Sequence, residues 1–146
     1  MRVIGSDGSN LRVNVDDGKT TVDGKLKFAE TDANKAATPK IVAGAYSNSF
    51  KGTKETALYD IDAAVGALFK QAPPNDGVLT TIGSLGAKPN ALAFDIEADG
   101  KGGNVGWLLA DGTLHKLDIA TGMVSMHGKI AGLNAPARDV AALSAN

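Results

Sequence analysis

Apolar and polar residues alternate with a period of two in short runs along the whole chain, and most runs end at a glycine. Over 11–16, Leu11, Val13 and Val15 interleave with Arg12, Asn14 and Asp16, the spacing of a pleated strand whose side chains point to opposite faces in turn. The fullest version of the pattern is Thr113-Leu114-His115-Lys116-Leu117-Asp118-Ile119-Ala120-Thr121-Gly122, a strand running into a tight turn. There Asp118 can accept backbone N–H bonds, and Gly122 takes the positive φ that closes the hairpin. Leu58-Tyr59-Asp60-Ile61-Asp62-Ala63-Ala64-Val65-Gly66 repeats the order with Asp62 and Gly66, and Leu11 to Gly18 repeats it with Asn14 and Gly18. The polar caps at 14, 62 and 118 are spaced by roughly the ~40–50 residues of a propeller blade.

The pattern predicts a single all-β, β-propeller-like domain of about three four-stranded blades, over 1–38, 39–87 and 88–136. Blade one takes strands at 2–5, 11–16, 20–22 and 25–28. A surface connection over 29–39, with room for one helical turn, ends at Thr38-Pro39. Blade two takes 40–50, 58–62, 67–71 and 78–85, and the loop Ala72-Pro73-Pro74-Asn75-Asp76-Gly77 separates its last two strands, because proline fixes φ and removes a donor. Blade three takes 91–96, 105–110, 113–119 and 123–130, and the tail 137–146 begins a further strand. Three blades are fewer than the ~4–8 that close a ring. A partial ring completed by oligomerisation or by further chain is therefore expected, because open sheet edges and faces are unstable in water.

Composition narrows the function. Eighteen glycines and 5% aromatics suit short strands and tight turns. Fifteen basic against sixteen acidic residues leave no electrostatic footprint for nucleic acid or an anionic membrane. The absence of cysteine excludes disulfides, thiolate metal sites and a cysteine nucleophile. No run reaches the ~18 apolar residues of a membrane span, and Met1 to Ser6 enters a strand pattern without an apolar signal core.

Candidate chemistry is sparse. Gly18-Lys19-Thr20 lacks the first glycine of a phosphate loop and is followed by strand pattern, and the glycines at 100, 102, 103 and 106 open no helix. Asp95, Glu97 and Asp99, followed by Gly100, offer oxygen ligands in the order of a calcium loop, yet Gly106 stands where its bidentate glutamate belongs. A capped strand end is the stronger reading, with calcium as the candidate cofactor if one binds. His115 and His127 are strand residues without a triad geometry, and Trp107 is expected to pack. Tyr46, Asn48, Phe50, Pro73, Pro74 and Asn75, at loops and strand ends, are the candidate binding residues.

Four stretches in order, Gly5 to Asn14, Gly44 to Phe50, Leu58 to Asp62 and Pro73 to Leu79, resemble an uncharacterised bacterial family of exported, propeller-like proteins catalogued as a domain of unknown function. The resemblance covers nearly the whole chain. It implies a propeller-like fold and a secreted or periplasmic location, and it transfers no catalytic residue. The function expected is a non-enzymatic binding or assembly module that contacts itself or another macromolecule, most simply another protein, through loops and sheet edges. The rival expectations are a calcium-dependent hydrolase or lactonase of the six-bladed propeller type, and a carbohydrate-binding propeller using Tyr46, Phe50 and Trp107.

Overall fold

The computed structural model describes residues 1–143. The chain is all-β, in three open sheets. The first sheet is β1 (Arg2–Ile4), β2 (Asn10–Val13) and β3 (Thr20–Val22), in sequence order. The second runs β4-β8-β7-β6-β5, from β4 (Lys27–Phe28), β5 (Ile41–Tyr46), β6 (Leu58–Asp62), β7 (Ala67–Gln71) and β8 (Val78–Ser84). The third runs β12-β11-β10-β9, from β9 (Leu92–Ala98), β10 (Asn104–Ala110), β11 (Thr113–Leu117) and β12 (Val124–Lys129). A 3-10 turn at Pro74–Asp76 interrupts the loop before β8. No helix among the described residues is long and apolar enough to cross a membrane.

The repeated cap motif builds the same turn three times. Asn14, Asp62 and Asp118 each accept, through Oδ1, the N–H two residues on, at 2.9, 2.9 and 2.8 Å. Gly18, Gly66 and Gly122 each donate back to the cap's carbonyl with φ of 73°, 74° and 77°. That backbone region disfavours side chains with a Cβ.

Alternation on the second sheet then decides the core. Ile61 and Leu68 point to one face, where they pack with Leu92, Phe94, Ile96, Leu108 and Leu117 of the third sheet. Ala67, Phe69 and Leu79 point to the other, where they pack with Leu26, Phe28 and Ile41 and with Ile4 of the first sheet. The Phe28 and Phe69 rings lie 5.1 Å apart. The second and third sheets approach closely where Gly83 of β8 meets the β11–β12 turn: a Cβ on Gly83 would lie 2.0 Å from the Thr121 carbonyl oxygen.

Residues 25–28 depart from the expected blade. They leave the first sheet, and Lys27 and Phe28 pair in parallel with Val78 and Leu79 of β8. The cause is apolar: Phe28 is buried against Phe69 only if the chain crosses over, and the crossing is tight enough that a Cβ on Gly77 would meet the Gly24 carbonyl oxygen. The 29–39 connection is turns rather than a helical turn. Asp32 anchors it, accepting bonds from Asn34 and from the Thr81 backbone; burial pushes its carboxyl up, but these bonds outweigh that and hold it below the ordinary aspartate value. The expected tail strand does not form over 137–143, where Ala142 N–H instead donates to Asp95; its last part, 144–146, lies outside the described residues.

Candidate functional site

The most unusual chemistry lies at the seam between the first and second sheets, centred on Arg2. As the first residue of β1, Arg2 stands opposite Arg12 of β2 on the face turned toward the second sheet. Two cations directly across a ladder repel, and Asp23, just past β3, offsets this by bonding both. Arg2 reaches Asp23 at 3.0 Å, while Arg12 grips it through Nε at 2.8 Å and Nη2 at 3.0 Å. The Arg2 and Asp23 side chains are only 6% and 5% exposed. The hydrogen bond from Arg12, with a further one from Arg2, holds the Asp23 carboxyl below its usual range despite desolvation.

Arg2 also donates to Tyr46 Oη at 2.9 Å, to Asn75 Oδ1 at 2.8 Å and to Asn10 Oδ1. The Pro74 carbonyl accepts from Asn10 at 2.9 Å and from Gln71 at 2.6 Å, with Arg2 at 3.4 Å. Three of the residues expected from sequence, Tyr46, Pro74 and Asn75, thus converge on one guanidinium. Pro73 precedes them at the exposed start of the 3-10 turn.

Asn48 and Phe50 lie elsewhere. Asn48 exchanges hydrogen bonds with Asn104 at 2.8 and 2.9 Å, which pins the loop after β5 to the start of β10. Its φ of 53° is one asparagine tolerates better than most residues. Phe50 is half-buried in the same loop.

Deeper in the seam, β6 carries Asp60 on the same face as Leu58 and Asp62. Asp62 is satisfied by Lys40, Ala64 and Val65 N–H groups. Asp60 is fully buried and neither of its oxygens has a donor; the Gln71 Oε1 lacks one as well. Opposite Asp60 in the ladder stands Gly44, where a Cβ would lie 2.5 Å from Asp60 Oδ1, so a side chain at 44 would collide with the carboxyl. Burial pushes the Asp60 carboxyl up to about 7, with the Arg2 charge pulling partly against it. Above Gly44, a cleft of about 380 Å³ opens between β1 and β5, lined by Ile4, Ile41, Ala43, Gly44, Tyr46 and Leu58 among others.

The acidic trio Asp95, Glu97 and Asp99, weighed as a calcium loop against a capped strand end, is engaged by separate donors. Asp95 accepts from Ala142, Glu97 from the Trp107 indole at 2.8 Å, and Asp99 from Lys101 and Gly103 N–H groups. Those backbone bonds hold Asp99 below the ordinary carboxylate value. Among the described residues, no group of three or more His, Asp or Glu side chains is arranged to hold a metal ion. Trp107 is half-buried, with its ring 5.1 Å from His127 and under the Lys116 ammonium at 5.5 Å. His115 buries Nδ1 without a partner.

Sequence reasoning passed over Arg2, Asn10, Asp23, Asp60 and Gln71. For Asp60 a signal existed, an acid sharing the face of two residues destined for the core; for Arg2 and Asn75, 73 residues apart, no local pattern announces the pairing.

Among known proteins, the family described as Domain of unknown function (DUF4394) matches residues 1–141. No curated protein matches the chain, and neither does any solved structure.

Proposed function

The chain belongs to the DUF4394 family, and on that premise we propose that it is a non-enzymatic assembly module whose stacked sheets are adjoining blades of a propeller-like ring completed by a second copy of the chain. The observation that carries this reading is the aliphatic outward face of the first sheet. Its inward face holds Arg2, Asn10 and Arg12 beside Ile4, while cross-strand neighbours Val3, Leu11 and Val22 share the outward face, Leu11 half-buried between them. Val3 is 40% exposed and Val22 78%. Both faces of the second sheet are covered by neighbours, whereas Val3 and Val22 on the outward face of the first sheet are left exposed by the described residues. Contiguous aliphatic surface of this kind marks an interaction site. A twofold pairing of two such arcs closes a ring without leaving an open end.

Sedimentation velocity of the full chain at micromolar concentration tests this. The wild type is expected to sediment as a dimer, and Val22→Asp, on an exposed strand position, as a folded monomer. Placing a carboxylate in the buried interface costs about 3 kcal/mol or more, upward of a hundredfold in dissociation constant. A wild-type chain that remains monomeric across that range overturns the reading.

A further inference from the structure

We propose that Asp60 switches the partners of Arg2: as a neutral acid it leaves the guanidinium on Tyr46 and Asn75, and once ionised it draws the guanidinium inward and frees those two acceptors. The switch lies within one chain and does not depend on the assembly.

The geometry around Asp60 carries it. Three oxygens are buried there without a donor, both of the Asp60 carboxyl and the Oε1 of Gln71. Asp60 and Gln71 share a face as diagonal neighbours on β6 and β7, since Asp60 pairs with Phe69 and Leu58 with Gln71. The Gln71 amide cannot turn over to supply a donor. Its Nε2 already donates to the Pro74 carbonyl at 2.6 Å, and a flip would set oxygen against oxygen. A neutral acid brings one proton into this space, whereas an ionised one brings a buried charge and no donor.

One group can answer that charge. On its own face Asp60 is flanked by Leu58, Phe69, Gln71 and Asp62, and Asp62 is held by three backbone N–H groups. Tyr59 and Lys70 point to the opposite face. Gly44 and Tyr46 come from β5, and Phe28 and Leu79 from β4 and β8. From β1 come Ile4 and Arg2, and behind Arg2 the Asp23 carboxylate is also gripped by Arg12. Arg2 is the one charge that acts on Asp60.

Arg2 is also free to turn. Asn10, Asp23 and the Pro74 carbonyl all take its Nη1, whereas Nη2 bonds only Asn75 Oδ1 and Nε only Tyr46 Oη. A turn about the Nη1 anchor therefore keeps Asp23 and exchanges two neutral acceptors for a carboxylate, which forms a bond about twice as strong. The cleft lined by Arg2, Gly44 and Tyr46 gives room for it, and water replaces the guanidinium at the exposed Asn75. Burial pushes the Asp60 carboxyl up to about 7, so the neutral form holds in mild acid and the ionised form takes over above neutrality.

NMR of the isotope-labelled full chain from about pH 5.5 to about pH 8.5, a range that brackets the Asp60 titration, tests the exchange. The Arg2 Nε–H and Asn75 side-chain amide signals are expected to move with the same midpoint as the Asp60 carboxyl. In Asp60→Asn they are expected to stay at their acid positions throughout. Asn75→Ala, at an exposed position, removes a competitor for the guanidinium and is expected to lower the Asp60 midpoint by about half a pH unit or more. That variant keeps the test readable should Asp60→Asn fail to fold. Arg2 and Asn75 signals that stay flat while Asp60 titrates overturn the exchange. So does an Asp60 that does not titrate in this range, or a midpoint that Asn75→Ala leaves unchanged.

Discussion

Asp60→Asn removes a charge that the protein has nowhere to put. The Asp60 carboxyl rises from 3.8 in the unfolded chain to about 7 in the folded one, because burial disfavours the ionised form. The folded state therefore binds the proton more tightly, so the stabilising contribution is fully present below pH 3.8, declines as pH climbs, and is lost once pH passes about 7. At 1.36 kcal/mol per pH unit the difference amounts to about 4 kcal/mol across that window, a large part of the ~5–15 kcal/mol that holds a domain folded. The isosteric amide cannot ionise and has no such slope. Urea unfolding followed by the fluorescence of the sole tryptophan, Trp107, from pH 4 to 8 reads both profiles. The wild type is expected to weaken with rising pH relative to Asp60→Asn, and the variant to be the more stable protein at pH 8. Asp7, Asp23, Asp32 and Asp99, all held below their ordinary value, act in the opposite sense and only at acid pH. Parallel profiles would refute the reasoning.

Arg2→Met breaks the buried pair with Asp23 and takes the donor from the buried Asn10 as well as from Tyr46 and Asn75, a loss expected at about 3–5 kcal/mol in the same urea assay. It also removes the one cation that lowers Asp60, so the midpoint of the pH-dependent loss should move above that of the wild type; an unmoved midpoint would show that the two groups are not coupled. Gly83→Ala drives a methyl against the Thr121 carbonyl, and thermal unfolding should register a loss of about 1–3 kcal/mol; a neutral substitution would mean that the third sheet does not bear on β8 there.

The elements of this fold were legible because they are local. Period-two alternation and the cap-to-glycine spacing at 14–18, 62–66 and 118–122 sit within a few residues of one another, and each built the turn expected of it. β4 was misassigned because nothing within Lys25 to Phe28 distinguishes an outer strand of the first sheet from a parallel partner of β8; the choice is made by Phe69, some forty residues on. The site was half legible for the same reason. Tyr46, Pro74 and Asn75 announced themselves by loop chemistry, while the guanidinium that gathers them lies at the opposite end of the sequence. Asp95, Glu97 and Asp99 kept the spacing of a ligand set, but neighbouring donors from Ala142, Trp107 and the 101–103 backbone took each of them singly.

The Pro74 carbonyl, which gathers donors from Asn10 and Gln71 with Arg2 close by, also sets an order of events during synthesis. The hairpins that carry Arg2 and Asn10 leave the ribosome before the central strands, and the partners these two residues find outside the hairpins, Tyr46, Asn75 and the Pro74 carbonyl, are in place only after residue 75 has emerged. Closing so long a loop comes late, and until then the nascent chain presents an aliphatic surface on one side and, on the other, two arginines that share the single carboxylate of Asp23.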